Sequence, residues 1–322
     1  MKLGTLRSGE RDGKLCVVSR DLRRFMLADD IAPNLQAALD RWPEVVERLE
    51  ARYAALNAGK AGAASDFDAR HFLAPLPRAY QWIDAGGYMS HMQRMRSARK
   101  APMPPRWDTE PAMYQGLSDT NLAACDDIVG DPAWGIDLEA EVAVIVGDVP
   151  MGVAARDALA AIRLVVLLND KSLRKLIPEE LAKGFGFIWG KPASAFAPVA
   201  VTPDEFGVDW SDGKARCRVR CSVNHELLGA PSAGVDQQFS FPRIIEHATR
   251  TRSLAAGSIV GAGTVSNYDE TAGFSCLVER HVVEGTEPRL LQPGDRVVIE
   301  AFDRDGKSIF GAIDQRVAAL SA

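Results

Sequence analysis

Cysteine is scarce in this 322-residue chain: there are five, an odd and scattered set. Cys217 and Cys221 lie four apart in an alternating strand pattern and so share a face, but no second pair completes a zinc site. The cysteines therefore read as reduced core or interface residues. None has a convincing histidine partner nearby, which argues against a thiolate nucleophile. Blocks of Lys and Arg are absent, and the formal net charge is −5, so nothing suggests a nucleic-acid footprint. The most basic run, Arg94, Arg96, Arg99 and Lys100, reads as a solvated helix face that could reach an anionic substrate. Long apolar runs are missing too, which excludes a membrane span, and the N-terminus lacks the apolar centre of a signal peptide. The expected location is the cytoplasm. There is no sequence repeat, no low-complexity tail and no βα rhythm, which argues against a doubly wound sheet.

What is present suits one large domain with a small appendage, since 47% hydrophobic and 25% charged residues are ordinary for a globular chain. Strands are expected at 2–6 and 15–19, then helical spacing at 34–40 and 45–53. Small residues at 58–65 read as a connector. Pro75, Pro77, Pro102, Pro104 and Pro105 mark irregular chain around His91. From Gly135 onward strands dominate, at 139–146, 162–170, 197–201, 214–223, 258–265 and 296–302. Asn224-His225 predicts a tight hairpin, and 241–254 predicts an amphipathic helix with Ile244, Ile245, Ala248 and Leu254 inward.

The run Asp137-Leu138-Glu139-Ala140-Glu141 leads into Val142-Ala143-Val144-Ile145-Val146, a strand apolar on both faces and hence buried. Alternation puts Glu139 and Glu141 on one side, about 7 Å apart along the chain. Like charges entering an apolar interior are costly unless a cation or strong donors compensate them, and paired carboxylates select a hard divalent ion. The alternative is a strand end that protrudes into solvent with both Glu hydrated. A second buried-strand pattern, 162–170, opens at Asn169-Asp170; a single Asp there could simply cap the next turn.

Together the motifs resemble those of the fumarylacetoacetate hydrolase family. They are Asp137-x-Glu139-x-Glu141, Asn169-Asp170-x-Ser172-x-Arg174, Gly190-Lys191 and Gly263-Thr264-Val265-Ser266. Upstream, Asp84 and His91 match the family's metal-binding Asp and catalytic His, and Tyr114-Gln115-Gly116 matches a substrate contact. Glu279 falls where the partner of that His is expected, allowing one inserted residue. The resemblance covers about residues 72–322. It implies a β-rich α+β fold, a mixed-strand β roll or distorted barrel, with a small N-terminal α/β unit (1–71), assembled as a homodimer. It implies one Mg²⁺ or Ca²⁺ on Asp84, Glu139, Glu141 and Asp170, and no organic cofactor. His91, Glu279, Lys191 and Arg174 would be catalytic; Tyr114, Lys100 and Thr264 would bind substrate. The implied reaction is hydrolysis of a carbon–carbon bond in a β-diketo acid of fumarylacetoacetate or acylpyruvate type. Metal-dependent decarboxylation or hydration of a 2-oxo acid is the alternative; a non-catalytic binding protein and a purely structural cation site are further ones.

The sequence also departs from the family. Lys100 stands where the mammalian-type enzyme has Arg, Ile177 where it has Gln, and Leu181 and Gly86 where it has Tyr. These changes fall on substrate contacts, so an altered, less polar distal end is expected, unless the cations after His91 restore charge there. His71, His225, His247 and His281 have no comparable support.

Overall fold

The computed structural model describes residues 1–60, 62 and 64–320; the expected connector includes Ala61 and Ala63, which lie outside the described residues. Among the described residues the largest sheet has eleven strands. At its centre Ala140–Val146 pairs antiparallel with both Ile162–Asn169 and Ile259–Thr264. Ile259–Thr264 pairs in parallel with Trp82–Ala85, which in turn pairs antiparallel with Met113–Gln115. On the other side the sheet continues through Val199–Val201 into Lys2–Leu6, Lys14–Val18 and Arg24–Leu27. A second sheet runs Glu226–Gly229, Cys217–Val223, Arg296–Phe302, Ile313–Ala319 and Ile128–Gly130, with Ser232–Ala233 as a sixth strand beside Cys217–Val223.

The position of the central strand explains its composition. Val142, Val144 and Val146 join a core shared with Val219, Ile299 and Ile313 of the second sheet. Ala143 and Ile145 face a second core with Leu3, Leu15, Leu35, Leu49 and Tyr53. A strand buried on both faces must be apolar at every position. Mixed sheets in a β-rich α+β chain match the expected fold class, and among the described residues neither sheet closes into a barrel. No helix among the described residues is long and apolar enough to cross a membrane.

The local expectations fared unevenly. Lys2–Leu6 and Arg296–Phe302 form as anticipated, and Asn34 caps the helix Leu35–Asp40 by accepting from Ala37 N. Asn224 and His225 have φ of 52° and 70°, the left-handed pair that a two-residue type I′ hairpin needs, with Val223 opposite Glu226. The helix expected over 241–254 stops at Ala248. The segment expected to be irregular holds the strand Trp82–Ala85 and the helix Met89–Ala98. No proline lies between Arg78 and Ala101, so the flanking prolines bound these elements rather than disrupt them. The helix Leu277–Glu284 and the strand Ile313–Ala319 went unanticipated.

Candidate active site

Three strands of the large sheet, two of them adjacent, deliver three carboxylates to one point. Asp84 lies on Trp82–Ala85, Glu141 on Ala140–Val146, and Asp170 follows Ile162–Asn169. Each offers one oxygen within 4.8 Å of the others, and the residues are 5%, 0% and 1% exposed. Asp84 Oδ1 accepts from Gly263 N at 3.0 Å. A Cβ at Gly261 would sit 2.3 Å from that oxygen, so any side chain there would displace the carboxylate. Asp170 accepts from Ser194 Oγ at 2.7 Å, and also from Tyr114 Oη and Lys191 Nζ.

The electrostatics are unfavourable to the carboxylates as they stand. Burial, then the charge of Asp170, pushes the Asp84 carboxyl up to about 7. Burial and the neighbouring Asp84 and Asp170 carry Glu141 well above the usual carboxylate range. Glu141 Oε1 accepts from Thr264 Oγ1 at 3.3 Å, while its buried Oε2 has no hydrogen-bond partner among the described residues. An orphaned carboxylate oxygen beside two others forms a set of hard oxygen donors suited to a divalent cation. The site therefore fits the metal that the sequence implies.

Glu139, the fourth expected ligand, lies outside this triad. Its Oε1 accepts from Arg174 Nη2 at 2.6 Å and its Oε2 from Lys191 Nζ. Burial works against its charge, but Arg174 and then Lys191 outweigh it and hold the carboxyl well below its ordinary value. Lys191 spans Glu139 and Asp170; burial opposes its charge, and those two carboxylates overcome it.

His91 sits in the first turn of Met89–Ala98, with Nδ1 2.8 Å from Glu279 Oε2 and Nε2 3.4 Å from Glu139 Oε1. Burial pulls the imidazole pKa down, yet Glu139 and Glu279 carry it up to about 9. Glu279 also accepts from Arg94 Nη1 at 2.6 Å and Ser266 Oγ at 2.5 Å. Of the four cations after His91, Arg94 is thus tied to Glu279, and Arg96 and Arg99 line the cavity above the carboxylates. Lys100, expected to bind substrate, is exposed beyond the helix end with φ of 50° and is not among the lining residues.

The cavity holds about 280 Å³ and is lined by His91, Glu139, Glu141, Arg174, Lys191, Tyr114 and Thr264. Its far wall mixes Met92, Met95, Ile177, Leu181 and Phe187 with the two arginines. A larger cleft of about 720 Å³ lies against the second sheet and no histidine lines it. Sequence reasoning missed the roles of Arg94, Ser194 and Ser266. Arg94 follows His91 by three residues and so shares its helix face, yet the run that it opens read as a solvated face rather than as a partner of Glu279.

Residues 81–318 match the family model described as fumarylacetoacetate (FAA) hydrolase C-terminal, and residues 1–78 match fumarylacetoacetase N-terminal domain 2. The chain belongs to the fumarylacetoacetate hydrolase family. Oxaloacetate tautomerase YisK of Bacillus subtilis (strain 168) is 28% identical over 230 residues, 70% of this chain and 68% of that protein. A probable 2-hydroxyhepta-2,4-diene-1,7-dioate isomerase from Mycobacterium abscessus is similar in structure, with a TM-score of 0.69 at 19% identity over 100% of both chains. Maleylpyruvate hydrolase from Sphingobium sp. SYK-6, in complex with manganese(II) and pyruvate, gives 0.67 at 17% identity over 100% of both chains. At such identities the two structures speak for the fold; the named family members include a hydrolase, an isomerase and a tautomerase.

Proposed function

We propose that this protein is a divalent-metal-dependent hydrolase that cleaves the carbon–carbon bond of a β-diketo acid, using water activated by His91 and Glu279. The observation that carries this reading is the His91–Glu279 pair, 2.8 Å apart, with the other ring nitrogen 3.4 Å from Glu139 Oε1. Asp84, Glu141 and Asp170 would hold the cation, Glu139 would border or join them, and oxygen donors favour Mg²⁺ or Ca²⁺. A bound divalent cation supplies Lewis acidity toward the adjacent oxygens of a 2-oxo acid.

The chain's own residues account for the proton traffic. Glu279 accepts from Nδ1–H and thereby leaves the Nε2 lone pair to take a proton from water that attacks the distal carbonyl. That role needs neutral imidazole, so the charge of Glu139 must be drawn away from the ring first. Lys191 and Arg174 are charged donors in a buried site, positioned to stabilise the oxyanion of attack or the departing enolate. The products are a carboxylic acid and a 2-oxo acid, the latter after its enolate is protonated.

The tautomerase name of the Bacillus relative favours a second reading, in which the same pair moves a proton between carbon and oxygen of a 2-oxo dicarboxylic acid. A panel of acylpyruvates, run beside enol-oxaloacetate with Mg²⁺ present, separates the two. Turnover of acylpyruvates to pyruvate is the expected result. Rapid ketonisation of enol-oxaloacetate with no acylpyruvate cleavage would replace the hydrolase reading with the tautomerase one.

A further inference from the structure

The first acid of the Asp-x-Glu-x-Glu motif, Asp137, has no part in the chemistry above, yet it is 0% exposed. Its carboxylate accepts from Arg174 Nε at 2.8 Å, from Leu277 N at 2.9 Å and from Val278 N at 3.3 Å. Cys276 Sγ lies 3.2 Å from the same group and 3.0 Å from Arg174 Nη2. Leu277 and Val278 open the helix Leu277–Glu284, whose own N-terminal residue, Cys276, makes no side-chain cap. Asp137 is therefore the cap of that helix, supplied from 140 residues away in sequence. The third residue of the helix is Glu279, the partner of His91.

Asp137 thus ties together two groups, which Cys276 Sγ also links by accepting from Arg174 Nη2. One is the Arg174 guanidinium, which runs on to Glu139. The other is the helix terminus that sets where Glu279 stands. The backbone reinforces the link, since Asp137 pairs with Ser172 and Arg174 N donates to Gly135 O. We propose that Asp137 is a positioning residue that locks Arg174 and the Glu279 helix into one register, so that the cationic donors and the His91 base meet the same substrate. This rests on the functional reading of His91, Glu279 and Arg174 above. A buried carboxylate gripping a guanidinium and a helix terminus at once fits no simpler purpose of packing, because an apolar residue of similar size would cost less to bury.

Asp137→Asn is the informative change. The amide keeps one oxygen for the helix amides, turns an NH₂ toward the guanidinium, and removes the charge. With a folded, metal-binding variant, kcat should fall about 10–100-fold, the range for outer partners of a site, while KM moves less than about threefold. The apparent pKa of His91, read from its imidazole resonances, should shift with Glu279. The double variant Asp137→Asn/Glu279→Gln should be slower than Glu279→Gln alone by clearly less than the factor lost in Asp137→Asn, because part of the Asp137 effect runs through Glu279. An unaltered kcat in folded Asp137→Asn, or fully multiplicative losses in the double variant, would overturn the inference while leaving the His91 reading intact if His91→Gln is inactive. Full activity in His91→Gln would overturn both. Should Asp137→Asn not fold, hydrogen exchange of the native protein decides: Leu277 and Val278 amides protected like core strands support the cap, and exchange at the rate of frayed ends refutes it.

Discussion

Replacing Asp84 by Asn should stabilise the metal-free protein at alkaline pH and abolish its stabilisation by metal. The Asp84 carboxyl is raised from its ordinary 3.8 to about 7 by burial and then by Asp170. A carboxylate raised in the folded state favours folding below its unfolded pKa, and that stability is lost as pH rises through about 7. At about 1.4 kcal/mol per pH unit between the two values, the wild-type protein forfeits about 4 kcal/mol by pH 8. Asn keeps the acceptor for Gly263 N and carries no charge, so it escapes that loss. For a chain of this length the difference corresponds to about 6 °C in Tm. Thermal unfolding in excess EDTA at pH 4 and pH 8 is the assay. The two proteins should be close at pH 4, and the variant should lead at pH 8. Adding Mg²⁺ at pH 8 should raise the wild-type Tm and leave the variant unmoved, since only a site that binds the folded state stabilises it. A variant no more stable than wild type at pH 8 in EDTA, or one that gains as much from Mg²⁺, would refute the reasoning.

Three further outcomes follow from the geometry. The His91 imidazole should titrate near 9 without metal and lower with Mg²⁺, because Glu139 raises it and a cation would share that charge; NMR of the ring protons checks this, and an unchanged value would separate Glu139 from the metal site. Arg96→Ala/Arg99→Ala should cost a carboxylate-tailed acylpyruvate about 10–100-fold in kcat/KM, the worth of charge-assisted bonds, and a neutral-tailed one less than about threefold; equal losses would mean the arginines do not read the tail. Sedimentation at micromolar concentration should give a dimer, and a clean monomer would contradict the expected assembly.

The sequence carried the metal side of the site further than the base side. Glu141 and Asp170 were visible because buried strands announce themselves through unbroken apolar runs, and an acid at the end of such a run demands an explanation. The alternation that paired Glu139 with Glu141 presumed a regular pleat through both. Glu139 instead precedes the main strand and bridges to Cys276, and its carboxylate turns to Arg174 and Lys191. Asp84 and His91 were legible only through resemblance. Trp82–Ala85 is too short to show a period, and in Met89–Ala98 the spacing of Met89, Met92 and Met95 marks a buried face without marking His91. Lys100 matched a family position by count, but the helix ends at Ala98 and the left-handed turn at Lys100 carries it away from the cavity. No local pattern could reveal the capping by Asp137, since its partners lie 140 residues downstream.

The most direct test of the account is acylpyruvate cleavage, followed by loss of the β-diketone absorbance, in wild type and His91→Gln before and after chelation. The account predicts that EDTA abolishes wild-type turnover and Mg²⁺ restores it. His91→Gln, still folded and still stabilised by Mg²⁺, should lose about 10²–10⁴-fold, the usual worth of a general base. Turnover that survives exhaustive chelation, or a His91→Gln variant as fast as wild type, would contradict it.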